Sequence, residues 1–211
     1  QTTKTTQKLA LLQQYFQTAP DADKLWCLAL FTGRRPKRAI TTTQMRDFAQ
    51  RLTNLHLWLI EDTYAVVGDL AETIALILPP PQNMDDRPLS NWMDHLVALG
   101  TASEDEKFAA LSQAWGGLGQ DERFVLNKLI TGGFRIGVQS KLVIRALANA
   151  LDHDAAELTH KLMGQWSPHT HSWSQVILAN DPMSNISRPY PFYLCHPKED
   201  QDLGDLTDWD F

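Results

Sequence analysis

The chain has 211 residues, of which 43% are hydrophobic and 21% are charged, and its formal net charge at pH 7 is −6. These values are ordinary for a globular protein. The longest uncharged apolar run, residues 74–81, is too short to span a bilayer. The two cysteines show neither metal-ligand nor disulfide spacing, so we expect a cytoplasmic protein with no metal site and no membrane segment.

Apolar residues recur at helical spacing along most of the chain, and no sustained alternating pattern typical of strands is present. The spacing predicts about nine helices, close to residues 9–16, 23–30, 45–55, 66–77, 89–97, 103–115, 121–130, 142–151 and 155–163. Short connections join them. The predicted fold class is therefore all-α, a compact multi-helix domain.

Capping signals support several of these helix boundaries. Thr41 and Gln44 have capping-box spacing at the start of the third helix, and Ser103 and Glu106 repeat that pattern at the start of the sixth. Three prolines at 79–81 are expected to stop the fourth helix, whose apolar stripe runs from Val66. Gly100 is expected to end the fifth.

The C-terminal part of the chain has a different composition. Prolines interrupt it from about Trp166 onward, and the segment RPYPFYLCHP at 188–197 is incompatible with a helix. Its aromatic residues predict an extended strap lying against the helical body. Residues 198–211 carry six acids and one base, which is typical of a solvated linker. We therefore expect a helical domain over residues 1–197 and an acidic linker over 198–211.

The basic residues are distributed unevenly. Nine of the 19 lysines and arginines fall in two windows without any Asp or Glu, residues 33–46 and residues 128–145. The rest of the chain contains the other 10 basic residues together with all 25 acidic residues. Two basic windows of this kind on a helical chain indicate contact with a polyanion.

The second basic window contains a glycine turn between two amphipathic helices. Gly132 and Gly133 can adopt the left-handed conformation that ends the first helix. Gly137 lacks a Cβ and would let a phosphate approach the backbone amides that open the second helix. The pattern predicts a helix–hairpin–helix-like grip on a DNA backbone. The alternative is a glycine-rich corner between helices with ordinary surface cations. The expected contact residues of this window are Lys128, Thr131, Gly132, Gly133, Arg135, Gly137, Ser140 and Lys141.

The first basic window presents four cations on a loop that Pro36 stiffens, and the loop leads into a capped helix. Hydroxyl groups at a helix N-terminus can bind phosphate as well as cap the helix. The alternative interpretation is a solvated charged loop. The expected contact residues of this window are Gly33, Arg34, Arg35, Lys37, Arg38 and Thr42.

Other chemical patterns are assigned to structure. The carboxylates at 61, 62, 69 and 72 lie on polar helix faces and are expected to be solvated or to form pairs on the helices. His169 and His171 lack a third ligand at a convincing spacing. Trp92 and Trp115 fall on apolar stripes and are expected to pack in the core. We predict no catalytic residue and no metal ligand in this chain.

The segments FTGRRPKRAI, VGDLAETIALIL, LNKLITGGFRIGV and RPYPFYLCHP together resemble the N-terminal DNA-binding domain of ATP-dependent DNA ligases, bacterial and archaeal-like members above all. The resemblance implies an all-α domain that holds nicked double-stranded DNA on its minor-groove side. It also implies adenylation and OB-fold domains in the same parent chain, with ATP and Mg²⁺ as cofactors of that parent. Roles in DNA repair, replication or recombination, a nucleoid-associated location and a monomeric state follow as expectations.

The family's nucleophile is the lysine of a K-x-D-G motif, and no lysine in this sequence is followed by x-D-G. The resemblance therefore implies that this chain does not seal nicks alone. One departure concerns the glycine turn: the family usually has a small hydroxyl residue directly after Gly-Val, whereas here Gln139 precedes Ser140. This departure weakens the expected hydroxyl–phosphate contact.

Two alternative functions use the same residues. A helix–hairpin–helix DNA glycosylase would place a catalytic Asp after the hairpin helix, where Asp152 and Asp154 are loosely positioned. A helical scaffold would instead bind an acidic protein through the two basic windows. Base release by the purified chain would indicate the first, and failure of duplex DNA to displace a protein partner would indicate the second.

Overall fold

The computed structural model describes residues 4–81, 83–132 and 137–179. Over these residues the chain is helical and contains no strand, which confirms the all-α prediction. The predicted strap at 188–197 and the acidic linker at 198–211 lie outside the described residues. The α-helices are α1 (Thr5–Thr18), α2 (Asp21–Phe31), α3 (Thr42–Thr53), α4 (Leu57–Val67), α5 (Leu70–Ile77), α6 (Leu89–Ala98), α7 (Glu104–Gly117), α8 (Gln120–Thr131), α9 (Ser140–Leu151) and α10 (Ala155–Met163).

The fourth predicted helix is wrong, because the stripe from Val66 to Ile77 spans two helices. Gly68 has φ of +78° and ends α4, and the Asp69 carboxylate then accepts hydrogen bonds from the N–H groups of Ala71 and Glu72 to begin α5. Val66 is 83% exposed. The sequence pattern missed α4 because its apolar residues are not confined to one face.

Two smaller predictions also fail at helix ends. The third predicted helix, close to residues 45–55, ends earlier than expected, because Asn54 adopts the left-handed conformation and caps α3, and Leu52 is 37% exposed. Gly100 was expected to close α6. The helix instead tightens into a 3₁₀ turn over Leu99–Thr101, and Gly100 does not have a positive φ.

The two predicted capping boxes are confirmed. The Thr41 hydroxyl accepts from the Gln44 N–H, and the Gln44 side chain accepts from the Thr41 N–H at 3.0 Å. Ser103 and Glu106 form the same reciprocal pair, with 2.7 Å between the Ser103 nitrogen and the Glu106 carboxylate. Each box satisfies two N–H groups that the helix itself leaves without acceptors.

Helix α9 lies at the centre of one half of the domain. It packs against α1, and α2 and α10 also contact it. Its line of buried residues, Val143, Ala146 and Leu147, explains this position because small and branched side chains let neighbouring helices approach closely. In the other half α5 packs on α8, while α4 contacts α3 and α5. This arrangement brings the end of α8 and the start of α9 beside α1 and α2.

The two tryptophans predicted to pack in the core are buried, and so is the described cysteine. Trp92 and Trp115 are buried in the apolar core, so neither is available as a stacking platform for bases. Cys27 is also buried, and burial raises the pKa of its thiol to about 12. It therefore packs as a small hydrophobic residue and is not poised as a nucleophile.

A buried polar pair on α8 joins three helices. Arg123 is 2% exposed, and its guanidinium donates to the carbonyls of Trp115 at 2.6 Å and Pro79 at 2.7 Å, at the ends of α7 and α5. One turn later Asn127 accepts from the Trp115 indole N–H at 2.8 Å and donates to the Ala71 carbonyl at 3.1 Å. The Trp115 carbonyl is one of the last four of α7, which have no intrahelical partner, and Pro79 lies just beyond the end of α5.

Candidate nucleic-acid interface

The loop of the first basic window begins where α2 ends. Gly33 has φ of +86°, the Gly33 N–H donates to Leu30 and the Arg34 N–H donates to Ala29 at 2.8 Å. This pair of bonds is the Schellman arrangement, in which a left-handed glycine terminates a helix. A Cβ on Gly33 would meet nothing within 4 Å, so the glycine is required here for its backbone conformation.

Arg34 is directed into the protein. Its guanidinium donates to the carbonyls of Leu162 at 2.8 Å and Gly164 at 2.9 Å, and it lies 4.5 Å from the ring centroid of Trp166. Burial lowers the pKa of this guanidinium. The residue thus fixes the loop to the end of α10, and its guanidinium is already bonded within the protein.

Arg35 and Arg38 join the first basic window to the second. Arg35 donates to the Gly132 carbonyl and Arg38 donates to the Thr131 carbonyl, each at 2.5 Å. Both carbonyls stand at the C-terminal end of α8, where the helix dipole favours positive charge. Residues separated by more than ninety positions in sequence are therefore adjacent on the surface.

The end of α8 has the predicted geometry. Gly132 has φ of +73° and occupies the C-cap, so the left-handed conformation expected for this position is confirmed. The Thr131 hydroxyl donates back to the Asn127 carbonyl at 2.9 Å within the same helix. The Thr131 hydroxyl is thus bonded within α8, whereas the Thr131 carbonyl accepts the hydrogen bond from Arg38.

Gly132→Ala is expected to lower the free energy of unfolding by about 1 kcal/mol, since a Cβ disfavours the left-handed conformation. A Cβ there would lie 3.5 Å from the Arg38 guanidinium, an ordinary contact, so strain and not collision causes the loss. The matched control is Gly116→Ala inside α7, where a Cβ meets nothing within 4 Å. That change should be neutral or stabilising. Urea unfolding of both variants measures the difference, and equal effects would contradict the assignment.

The start of α9 is open. Gln139 occupies the N-cap without a side-chain hydrogen bond to the helix, unlike Thr41, Asp69, Ser103 and Asp154 at other helix starts. The Ser140 hydroxyl donates to the Phe31 carbonyl at 2.6 Å and so ties α9 to the end of α2. It is already used as a donor, which agrees with the weakened expectation for a hydroxyl–phosphate contact at this position.

The glycine turn is described only at its two ends. Gly137, like Gly132, has a positive φ, of +68°. Gly133 and Arg135, both predicted contact residues, lie outside the described residues. The remaining expected cations of the loop and of α9 are exposed: Lys37, Lys141 and also Arg145, one turn further along α9. Thr42, the first residue of α3, is half-buried.

Lys128 has an acidic partner that the sequence did not reveal. Its ammonium forms an ion pair with the Asp69 carboxylate at the start of α5. The second basic window lacks acids in sequence, but the packing of α5 on α8 supplies one. Asp69 belongs to the set of carboxylates expected to be solvated or paired, and it both caps α5 and neutralises Lys128. Glu61, from the same set, pairs with Arg46 at 3.3 Å.

The ion pair predicts a pH dependence of stability. Burial raises the pKa of Asp69, but hydrogen bonds from Lys128 and from the N–H groups of Glu72 and Ala71 outweigh it, so the pKa lies below its ordinary 3.8. A carboxylate with a lowered pKa stabilises the fold above that ordinary value, and the contribution disappears as pH falls through the folded-state pKa. Asp69→Asn keeps a capping side chain and should cost about 1 kcal/mol at pH 7, with a smaller cost at pH 3.

Urea unfolding of Asp69→Asn and wild type at pH 7 and pH 3 measures how the loss of stability depends on pH. Glu72→Gln is the control, because it removes a carboxylate from the same turn of α5 without touching Lys128. If the difference in free energy of unfolding between Asp69→Asn and wild type is the same at pH 7 and pH 3, the proposed role of the ion pair is contradicted.

Sequence reasoning missed Lys8. This lysine of α1 donates from its ammonium to the Gly137 carbonyl at 2.9 Å, so α1 reaches the glycine turn. Lys8 stands alone among polar residues in the sequence, and no local pattern marks it. Only the packing of α1 on α9 places it at this site.

The geometry thus gathers the loop after α2, the end of α8, the start of α9 and one lysine of α1. A family model described as "DNA ligase N terminus" matches residues 1–148, which include both basic windows. The chain belongs to this family of DNA ligase N-terminal domains. The resemblance to ATP-dependent DNA ligases drawn from the motifs is confirmed. No curated protein sequence matches the chain.

In this ligase domain Asp152 and Asp154 both lie at helix ends. Asp154 caps α10 by accepting from the N–H groups of Ala156 and Glu157, and Asp152 has φ of +54° at the end of α9. Within residues 4–81, 83–132 and 137–179, no group of three or more His, Cys, Asp or Glu side chains is placed to hold a metal. Nor does any helix in those ranges have the length and apolarity to cross a membrane.

Proposed function

We propose that this ligase domain holds nicked double-stranded DNA through its phosphate backbone, with little dependence on base sequence. The observation that carries the proposal is the pair of hydrogen bonds from Arg35 and Arg38 to the end of α8, which unites the two basic windows. Had the windows lain on opposite sides of the domain, they would not support a common DNA track. Family membership supports the same proposal.

Five exposed cations of the described residues are proposed to contact phosphates: Arg35, Lys37, Arg38, Lys141 and Arg145. Gly132 and Gly137 would let the DNA backbone approach the turn, and Thr42, Gly133 and Arg135 remain predicted contacts. Lys128 is removed from the main set because Asp69 already neutralises it. Backbone contacts of this type position a duplex without reading its bases.

The proposed parent protein is an ATP-dependent DNA ligase that seals nicks in repair, replication or recombination. Its adenylation and OB-fold domains would supply the chemistry, using ATP and Mg²⁺, while the present domain positions the substrate. We propose that the domain acts as a monomer near the nucleoid, and that residues 198–211 form a linker toward the adenylation domain.

The experiment is a salt titration of binding to a nicked duplex, followed by fluorescence anisotropy. Neutralising five phosphates predicts a slope of about −4.5 for log K against log[salt]. Lys141→Glu should weaken binding and reduce the size of this slope by about 0.9 or more, without loss of helix content by circular dichroism. An affinity that does not change with salt, or no binding to nicked duplex at low salt, would refute the proposal.

The same preparation addresses the two alternatives. A glycosylase would release bases from the duplex, and Asp152→Asn or Asp154→Asn would abolish that release. A protein scaffold would keep its partner in the presence of excess short duplex DNA. The capping role of Asp154 already accounts for that carboxylate without a catalytic function.

A further inference from the structure

Lys8 contacts the glycine turn at one specific atom. Its ammonium donates to the Gly137 carbonyl at 2.9 Å, and a Cβ built on Gly137 would lie 3.4 Å from the same nitrogen. Gly137 itself has φ of +68°, a conformation that glycine adopts readily and other residues avoid. The lysine thus lies directly against the residue that begins the approach to α9.

The hydrogen bond fixes the orientation of the peptide that joins Gly137 to Val138. A trans peptide is planar, and its carbonyl and the following N–H point in opposite directions. No cis peptide occurs among the described residues. Because the Gly137 carbonyl points toward Lys8 on α1, the Val138 N–H points away from α1. No described residue accepts from that N–H.

The backbone N–H groups that open α9 also lack a side-chain acceptor. Gln139 provides no side-chain cap for α9, so the first N–H groups of that helix lack a side-chain acceptor. The positive end of the helix dipole coincides with this row of donors. Lys8 therefore holds one end of a short run of backbone donors that begins at Val138.

The Lys8 charge is not neutralised within the part of the chain that the structure describes. Its one recorded partner is a carbonyl, which uses one of the three ammonium donors. Helix α1, with the sequence TTQKLALLQQYFQT, contains no acid. An ammonium beside this carbonyl and the start of α9 adds positive charge where a phosphate is proposed to bind.

We propose that Lys8 is a DNA-binding residue, so that α1 forms a third element of the interface beside the loop after α2 and the adjoining ends of α8 and α9. One N–H of its ammonium holds the Gly137 peptide in place, and the remaining donors and the charge serve a phosphate at the start of α9. This inference rests on the proposed DNA-binding function and adds to it both a residue and a positioning role.

The test compares Lys8→Arg, Lys8→Gln and Lys8→Met with the wild-type chain in salt titrations on a nicked duplex. Lys8→Arg keeps the charge and a donor and should bind within about twofold of wild type. Lys8→Gln should lower affinity several-fold and reduce the size of the salt slope by about 0.9. Lys8→Met should bind no better than Lys8→Gln, because it also loses the bond to Gly137. The matched control is Lys107→Gln on α7, which removes the same charge away from the glycine turn and should leave the slope unchanged.

A readout separate from affinity checks the positioning role. In the DNA-free protein, hydrogen exchange at the Val138 and Gln139 amides should change in Lys8→Met and remain near wild type in Lys8→Arg. Wild-type binding together with a wild-type slope for Lys8→Gln would overturn this inference alone. Failure of the wild-type chain to bind nicked duplex would overturn the proposed function and this inference together.

Discussion

The double variant Arg35→Glu/Arg38→Glu is expected to bind nicked duplex DNA about 100-fold more weakly than wild type at moderate salt. Each arginine supplies a cation at the junction of the two basic windows, and each side chain also holds the loop to a carbonyl at the end of α8. Glutamate removes the attraction, adds repulsion and cannot donate to the carbonyl. Loss of two phosphate contacts should change the salt slope from about −4.5 to about −2.7.

Two further variants separate charge from loop anchoring. Arg35→Gln/Arg38→Gln keeps an N–H donor for the carbonyls while removing both charges, so it should reproduce the change in slope with a smaller loss of affinity. Lys107→Glu on α7 reverses one charge outside the interface and should have little effect. If the double glutamate variant binds like Lys107→Glu, the proposed junction is not part of the DNA-binding surface.

Arg123→Leu is expected to produce the largest loss of stability, about 3 kcal/mol or more. The guanidinium is 2% exposed and donates to the carbonyls of Trp115 and Pro79, which leucine would leave buried without donors. Each unsatisfied carbonyl costs about 1 to 3 kcal/mol. The total is a large fraction of the stability of a typical domain. Urea and thermal unfolding, followed by circular dichroism, provide the measurement.

Arg145→Leu is the matched control, because Arg145 lies exposed on α9 and has no recorded partner among the described residues. Its effect on the free energy of unfolding should stay within about 0.5 kcal/mol. For DNA binding we expect the opposite ranking of the two positions. Arg145→Leu should weaken binding, whereas Arg123→Lys, if folded, should bind normally. Equal unfolding midpoints for Arg123→Leu and wild type would show that the carbonyls find other donors.

The helical fold could be predicted because its signals are local. The capping boxes at Thr41 and Ser103, and the left-handed glycine that ends α8, depend on residues within one or two turns of each other. The predictions that failed also have local causes. Gly68 and Asp69 end one helix and start the next within an unbroken apolar stripe, and Asn54 ends α3 before Leu55. These helix-ending and helix-starting residues are present in the sequence, but the prediction gave more weight to the continuous apolar spacing.

The partners of individual cations were not predictable in the same way. Within the two basic windows Arg34, Lys128 and Arg46 looked equivalent to their neighbours. The structure directs Arg34 to α10, pairs Lys128 with Asp69 and pairs Arg46 with Glu61. Lys8 lay outside both windows and yet reaches the glycine turn. A cation bonds to whichever carbonyl or carboxylate packs beside it, and that neighbour usually lies far away in sequence.

The sequence by itself determined that the chain is helical, that its basic residues cluster in two windows, and that its motifs are those of DNA ligase N-terminal domains. The tertiary structure alone decided that the two windows meet at the end of α8 and that Arg34, Lys128 and Arg46 bond to groups far away in sequence. The physical reason is the distance along the chain over which each kind of interaction acts. Helix periodicity and capping act within a few residues, whereas the charge on a surface depends on pairings that form only when distant helices pack together.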